Sequence, residues 1–261
     1  MRRSRGRSPR ADSSWDHVAT WYDGWVGQHG SSYHQRLAIP ASLELLEPSA
    51  GADILDVGAG QGVLAPFVLE RGCRYTGLDV SPALIDRARQ RRSRQARFLV
   101  GDARGLELVA ALRPASFDAA IFLLSIADIP DLDLVAASLD WALRPSARVV
   151  IVMTHPAFRQ PRHSGWGYDE SRKLTYRRVD GYLTPMAVPL DAVAGRRPTW
   201  SHHRPISDYV NALAAFGFGV DAMLEVPDVP PGQRPGRASQ RRMDNPDIPL
   251  LLGIRARRRE G

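Results

Sequence analysis

A doubly wound α/β fold with a mostly parallel sheet is predicted for this 261-residue chain. Three observations carry the prediction. Short apolar strand segments alternate with helical segments five times along the first 155 residues, the order that builds a parallel sheet with helices on both faces. Two of the strands, Phe117–Ser125 and Arg148–Thr154, are apolar almost throughout, as strands covered on both sides are. Three successive strands end on an acid, at Asp56, Asp79 and Asp102.

The elements follow in order. Residues 11–40 are rich in aromatics (Trp15, Trp21, Tyr22, Trp25, Tyr33), and Ala41–Glu47 reads as a short helix ended by Pro48. The first strand leads into Ile54-Leu55-Asp56-Val57-Gly58-Ala59-Gly60-Gln61-Gly62. Glycines at alternate positions let backbone N–H groups approach a ligand without a Cβ in the way. A dinucleotide fingerprint would set its third glycine at position 63, which here is Val63. Tyr75–Ser81 is a second strand ending at Asp79; Ser81 is a candidate N-cap and Pro82 a helix start. Arg97–Ala103 is a third strand with Asp102 at its end, and Asp131–Leu143 reads as a helix stopped by Leu143-Arg144-Pro145. Pro205–Gly217 reads as a helix, and Val220–Val226 and Ile248–Ile254 as two further strands. In open sheets of this kind ligands sit outside the carboxyl ends of the strands, where the strand order reverses. Any one of the strand-end acids could instead be a helix N-cap.

The glycine run preceded by Asp56, with acids at 79 and 102 in the following βαβ steps, resembles the class I S-adenosylmethionine (SAM) dependent methyltransferases over about residues 15–155 and 205–257. The resemblance implies a seven-stranded, Rossmann-like sheet whose last two strands form an antiparallel pair at one edge, an N-terminal helical cap, and SAM as cofactor. It implies that Asp79 accepts both ribose hydroxyls, that Asp102 meets the adenine amino group, and that the N–H of Ala103 meets the ring. Tyr22, in Trp15–Asp23, matches an aromatic that lies over SAM, although packing of the cap on the core would also account for it. Asp56, Gly58, Gly60, Gly62, Val80 and Ser125 complete the expected cofactor set.

Residues 156–204 exceed what a link from the fifth strand to the last helix requires, and their aromatics and histidines argue against a disordered linker. They are expected to form either a lid that shapes an acceptor pocket or an oligomerisation arm. The expected organisation is a disordered Arg-rich tail (1–14), a SAM-binding core with its cap (15–155), the lid (156–204) and the C-terminal part of the core (205–261). Trp166, Tyr168, Tyr176 and His202 are the expected acceptor-binding residues. His155, at the end of the fifth strand, is the expected general base, with a structural histidine as the alternative. Asp128 could orient a substrate amine, or Asp128 and Asp131 could cap the next helix. Tyr176-Arg177-Arg178 could meet an acidic group. No His/Cys/Asp cluster has metal-ligand spacing, so no metal is expected.

Composition narrows the partners. The net charge is +7, yet residues 1–10 carry five Arg and residues 255–261 four against Glu260, which leaves residues 11–254 near −1. The body is not basic, and the Asn/Asp-Pro-Pro-aromatic motif of enzymes that methylate base or amide nitrogens is missing at Leu124–Pro130. A small organic acceptor is therefore expected, attacked through an O or N atom, with nucleic acid disfavoured. The alternatives are an RNA or protein methyltransferase that uses the Arg-rich ends for capture, or a non-catalytic SAM-binding protein. Lys173 is the single lysine among 35 basic residues, which looks like the codon usage of a GC-rich bacterium. Cys73 alone cannot form an internal disulfide, and neither an apolar span nor a secretory h-region is present, so a cytoplasmic protein is expected. A homo-oligomer stays open.

Overall fold

The computed structural model describes residues 15–92, 94, 96–190, 197–228 and 247–258. The Arg-rich segment 1–14 lies outside them. In chain order the helices are α1 (Ala19–Val26), α2 (Ile39–Leu46), α3 (Ala65–Leu69), α4 (Pro82–Arg92), α5 (Leu132–Ala142) and α6 (Ile206–Ala215). The strands are β1 (Asp53–Val57), β2 (Arg74–Asp79), β3 (Arg97–Val100), β4 (Phe117–Leu123), β5 (Leu143–Thr154), β6 (Ser164–Asp169), β7 (Leu174–Val179), β8 (Met186–Leu190), β9 (Thr199–His203), β10 (Phe218–Pro227) and β11 (Pro249–Arg258).

Seven strands form one sheet in the order β10-β11-β5-β4-β1-β2-β3. Strands β1 to β5 are parallel, while β11 runs antiparallel to both β5 and β10. The order reverses between β1 and β4. The apolar continuity of the central strands has the expected cause: alternate side chains enter different cores. Ile54, Ile121, Val150 and Val152 pack under α2, α3 and α4. Leu55, Phe122, Val149 and Ile151 pack under α5 and α6. Among the described residues no helix is long and apolar enough to cross a membrane.

Local chemistry sets the element ends. The Leu84 N–H donates to Ser81 Oγ at 3.2 Å, so Ser81 caps α4 ahead of Pro82. Asp131 caps α5 by accepting from the Leu134 N–H at 3.2 Å. Helix α2 starts two residues before the sequence pattern suggested, because the π-helical turn His34–Ala38 runs directly into it.

The C-terminal arginines correct the charge reading. Arg255, Arg257 and Arg258 lie in β11, not in a tail. Arg255 meets Asp221 at 2.9 Å and Glu47 at 2.7 Å, Arg257 meets the same acids at 2.6 and 2.9 Å, and Arg258 meets Asp140 at 2.7 Å. They tie β11 to the edge strand β10, to the end of α2 and to α5.

The described residues of 156–204 include two antiparallel strand pairs, β6–β7 and β8–β9. The guanidinium groups of Arg159 and Arg177 lie over the Trp166 ring, 5.3 and 5.2 Å from its centroid. Strand β9 lies against the 3₁₀ turn Ile126–Asp128 that follows β4.

Gly62 has a packing role. Its φ is +76°, and a Cβ there would fall 2.8 Å from the Phe98 ring. Gly62→Ala combines left-handed backbone strain with overpacking, so it is expected to cost about 2–4 kcal/mol of stability, measured by denaturant titration.

Candidate active site

The site is built where β1 and β2 end. Asp79, the last residue of β2, is buried and accepts two backbone N–H groups: Gly60 on Oδ2 at 2.8 Å and Ser81 on Oδ1 at 2.8 Å. The N–H groups of Gly58 and Ala59 turn back onto the Leu78 carbonyl at 2.8 and 2.9 Å. Gly58 has φ +73°, and a Cβ on it would fall 2.5 Å from Ser125 Cβ. Ser125 Oγ donates to the Val57 carbonyl at 2.6 Å, which ties the end of β4 to the end of β1. Only glycine fits between them.

A cleft opens above this floor. Gly58, Gly60, Asp79 and Val80 line its base, and Asp102, Ala103 and Arg104 one wall. Asp128, Ile129 and Pro130 line another side, and Trp15 and Tyr22 a third. Tyr22 comes down over the glycine turn, since a Cβ on Gly60 would be 3.8 Å from Tyr22 Cε1. Trp15 packs edge-on against Tyr22 at 5.3 Å.

The cap is tied down by ion pairs across its rear. Asp23 in α1 accepts a two-pronged contact from Arg91 of α4 at 2.7 and 2.8 Å, and Arg87 reaches Thr20 Oγ1 at 2.9 Å. Asp16 bonds to Ser81 Oγ and accepts from the Ala83 N–H, adding a second acid at the start of α4.

The cleft is acidic. Burial, with Asp16 as a lesser cause, pushes the Asp79 carboxyl up to about 6 against the two N–H bonds it accepts. Burial, then the charge of Asp79, pushes Asp128 up to about 8. Asp102 is held below the usual carboxylate range by Arg104, whose Nη2 lies 2.6 Å from it. Arg104 is thus engaged by Asp102, and the other carboxyls face a site that favours a cation.

Of the residues singled out from sequence, the structure brings Tyr22, Gly58, Gly60, Asp79, Val80, Asp102, Ala103 and Ser125 to this cleft. Seven others do not line it. Gly62 lies behind it, against Phe98. Asp56 lies beneath the turn, buried, with Oδ2 accepting from the Tyr75 hydroxyl at 2.5 Å and its carboxyl pushed up to about 7 by burial.

His155 corrects the expectation of a general base. Its Nδ1 accepts from the Ala157 N–H at 3.2 Å, so Nε2 carries the hydrogen and donates to Glu225 of β10 at 3.0 Å. The ring is 2% exposed and packs on Phe158. It holds the entry to the insertion, with burial lowering its pKa against the influence of Glu225. Trp166 is half-buried and has two guanidinium groups over its ring. Tyr168 and Tyr176 are exposed on the β6–β7 hairpin, and His202 lines a separate, smaller cavity. Arg104, Ile129 and Pro130 had no motif to mark them, and Trp15 was marked only as the start of the segment that holds Tyr22. Asp128 had one, the acid after the fourth strand, shared with the capping role that Asp131 fills.

Comparison with known proteins agrees with this geometry. The family described as "Methyltransferase domain" matches residues 54–146, the stretch from β1 into β5 that supplies most of the cleft. A SAM-dependent methyltransferase from Mesorhizobium loti superposes with a TM-score of 0.67 at 26% identity, over 84% of this chain and 96% of that one. The chain carries a class I SAM-dependent methyltransferase domain. The domain is 28% identical over 142 residues to the ubiquinone biosynthesis O-methyltransferase of Xylella fastidiosa, a match covering 53% of this chain and 58% of the relative. Its fold also matches the 1,6-didemethyltoxoflavin-N1-methyltransferase of Burkholderia thailandensis, solved with S-adenosylhomocysteine (TM-score 0.56, 20% identity, 99% and 94% coverage).

SAM, the cofactor of this domain, fits the cleft on two counts. Each Asp79 oxygen accepts one N–H and keeps a further lone pair, enough for a vicinal diol. The carboxyls of Asp79 and Asp128 suit its sulfonium and ammonium charges.

Two expectations follow. Because the folded value of Asp128 lies above its ordinary 3.8, the stability it contributes is complete below about pH 4 and is lost as pH rises through about 8. Asp128→Asn should stabilise the ligand-free domain, with a gain larger at pH 8 than at pH 5 by on the order of 1–3 kcal/mol, read from paired melting curves. His155→Ala should cost about 1–3 kcal/mol of stability and leave SAM affinity within twofold by calorimetry.

Proposed function

We propose that the protein transfers the methyl group of SAM to an oxygen or nitrogen of a small organic acceptor. The observation that carries this reading is the acidic cleft at the sheet's reversal point, floored by Gly58 and Gly60 and covered by Tyr22. Asp79 would hold the ribose diol. Ala103 and Asp102 would lie at the adenine, the latter with the oxygen capacity that Arg104 leaves it. Gly58 and Gly60 would let the rest of the cofactor approach the backbone, and Val80 and Ser125 would shape its flanks. SAM supplies a methyl group on a positively charged sulfur, so displacement needs alignment and exclusion of water more than acid catalysis. Trp15, Tyr22, Ile129 and Pro130 would exclude water. Asp128, ionised beside a cation, would orient an acceptor hydroxyl or amine and take its proton.

Two further features support a small acceptor. The body of the chain is close to neutral and the cleft is acidic, which disfavours a polyanion. The Xylella relative is named for O-methylation and the Burkholderia protein for N1-methylation of 1,6-didemethyltoxoflavin. The chain matches little more than half the length of that curated relative. Residues 156–204 are read as the lid between core segments 15–155 and 205–261, and the enzyme as cytoplasmic.

Calorimetric titration with SAM and with NAD is the direct test. SAM should bind and NAD should not; the reverse result would sink the reading. Saturable SAM binding without turnover on any member of a phenol and amine panel would favour a cofactor-binding protein without catalysis. Asp79→Ala should weaken SAM at least tenfold, the loss of charged hydrogen bonds worth about 1.5–3 kcal/mol. Asp79→Asn, which keeps one acceptor oxygen, should lose less, and both variants are to be compared at matched folded fraction.

A further inference from the structure

Two polar groups that line the acidic cleft make no hydrogen bond within the fold. The Asp128 side chain is half-buried in the cleft wall, and among the described residues no donor engages its carboxyl. The Tyr22 hydroxyl, under the roof, has no such partner either. The other acids of the lining are occupied: Asp79 by the N–H groups of Gly60 and Ser81, Asp102 by Arg104 at 2.6 Å. Asp128 and Tyr22 are close enough to influence each other, because burial, then the charge of Asp128, pushes the Tyr22 hydroxyl up. Tyr22 therefore keeps its proton. Asp128 is the carboxylate left for a ligand.

The nucleophile of the acceptor decides which charge this cleft must bear. A hydroxyl becomes a good nucleophile by losing its proton, so its oxygen carries negative charge when it attacks. That oxygen would stand against Asp128 and near Asp79, and like charges withdrawn from water repel strongly. The one cation of the described lining, Arg104, is already engaged by Asp102, and no Lys or His lines the cleft. An oxyanion finds no counter-charge here. An amine behaves differently. It arrives as an ammonium, which pairs with a carboxylate through a charged hydrogen bond. It leaves as a methylated ammonium, so the charge beside Asp128 is the same before and after transfer. A primary or secondary ammonium also carries a second N–H, for which the Tyr22 oxygen is an available acceptor.

We propose that the methyl acceptor is a primary or secondary amine, and that Asp128 selects it over phenols and alcohols. The ammonium donates to the Asp128 carboxylate and passes it one proton. The nitrogen lone pair so released forms the new N–C bond to the methyl group of SAM, and the electron pair of the broken C–S bond goes to sulfur. The products are an N-methylated ammonium, S-adenosylhomocysteine and a protonated Asp128, which returns its proton to water. The step needs no co-reactant beyond SAM. This rests on the methyl-transfer reading, which supplies cofactor and reaction, and it narrows the acceptor atom from oxygen or nitrogen to nitrogen.

The test uses the full chain and three matched probes: benzylamine, its neutral isostere benzyl alcohol, and phenol. Calorimetry in the presence of S-adenosylhomocysteine should show saturable benzylamine binding, roughly tenfold or more tighter than either neutral probe. Asp128→Asn should cut that preference at least fivefold, with S-adenosylhomocysteine affinity within threefold of wild type. Asp128→Glu, which keeps the carboxylate, should retain most of the preference. With labelled SAM and the phenol and amine panel, the methyl group should appear on nitrogen. Equal binding of the three probes, no saturable benzylamine binding, or an unchanged preference in Asp128→Asn would each overturn the proposal. Labelling of phenols as fast as of amines would overturn it as well. So would a tenfold loss of S-adenosylhomocysteine affinity in Asp128→Asn with the preference intact, since the carboxylate would then serve the cofactor's own ammonium. Protein that prefers benzylamine through Asp128 but does not bind S-adenosylhomocysteine, or turns over neither class, would instead count against the methyl-transfer reading alone.

Discussion

The carboxylate of Asp79 is the constraint on which the rest of the site depends. One oxygen holds the N–H of Gly60 and the other the N–H of Ser81, so the turn leaving β1 and the helix following β2 hang from a single side chain. Ser81 in turn caps α4 and bonds to Asp16 of the N-terminal segment. Arginines farther along α4 grip α1 through Asp23. The roof over the cleft is therefore positioned by the same helix whose start the floor defines. Floor and roof share one frame, and neither can shift without straining the other.

Electrostatics gives that frame its selectivity. Carboxyls held out of water in the main cleft are pushed toward their neutral forms while no cation is present. A bound positive charge reverses that preference, so the cavity is better matched to a sulfonium than to the neutral thioether left after transfer. The same physics favours release of the demethylated cofactor.

Legibility in the sequence divided along a physical line. The seven strands of the main sheet could be read because apolar continuity and turn residues are local signals, whereas the antiparallel β10–β11 pair came only with the family resemblance and β6–β9 carried no such signal. Part of the cleft lining could be read as well: Gly58, Gly60, Asp79 and Ala103 sit at or just beyond strand ends. Asp56 and Gly62 belong to the same motif but serve the layer beneath it, through Tyr75 and Phe98, and a motif does not say which layer a residue serves. His155 comes just after a strand, yet its ring turns away from the cleft to Glu225, a partner 70 positions later in the chain. The aromatics of the insertion looked like a binding surface, but Tyr168 and Tyr176 are exposed on their hairpin and Trp166 packs with two arginines. Arg255–Arg258 read as a charged tail because the acids that pair with them, Glu47, Asp140 and Asp221, lie in three other elements.

The placement of β11 bears on how the chain matures on the ribosome. This strand is hydrogen-bonded on both sides, to β5 and to β10, although it follows both in sequence. A nascent polypeptide translated through β10 therefore still presents the bare backbone edge of β5, beside Val150, Ile151 and Val152. That edge is a template for wrong pairing with any extended segment nearby. The arginine pairs along β11 then act as a closing clasp, joining strands made early to strands made late once emergence is complete.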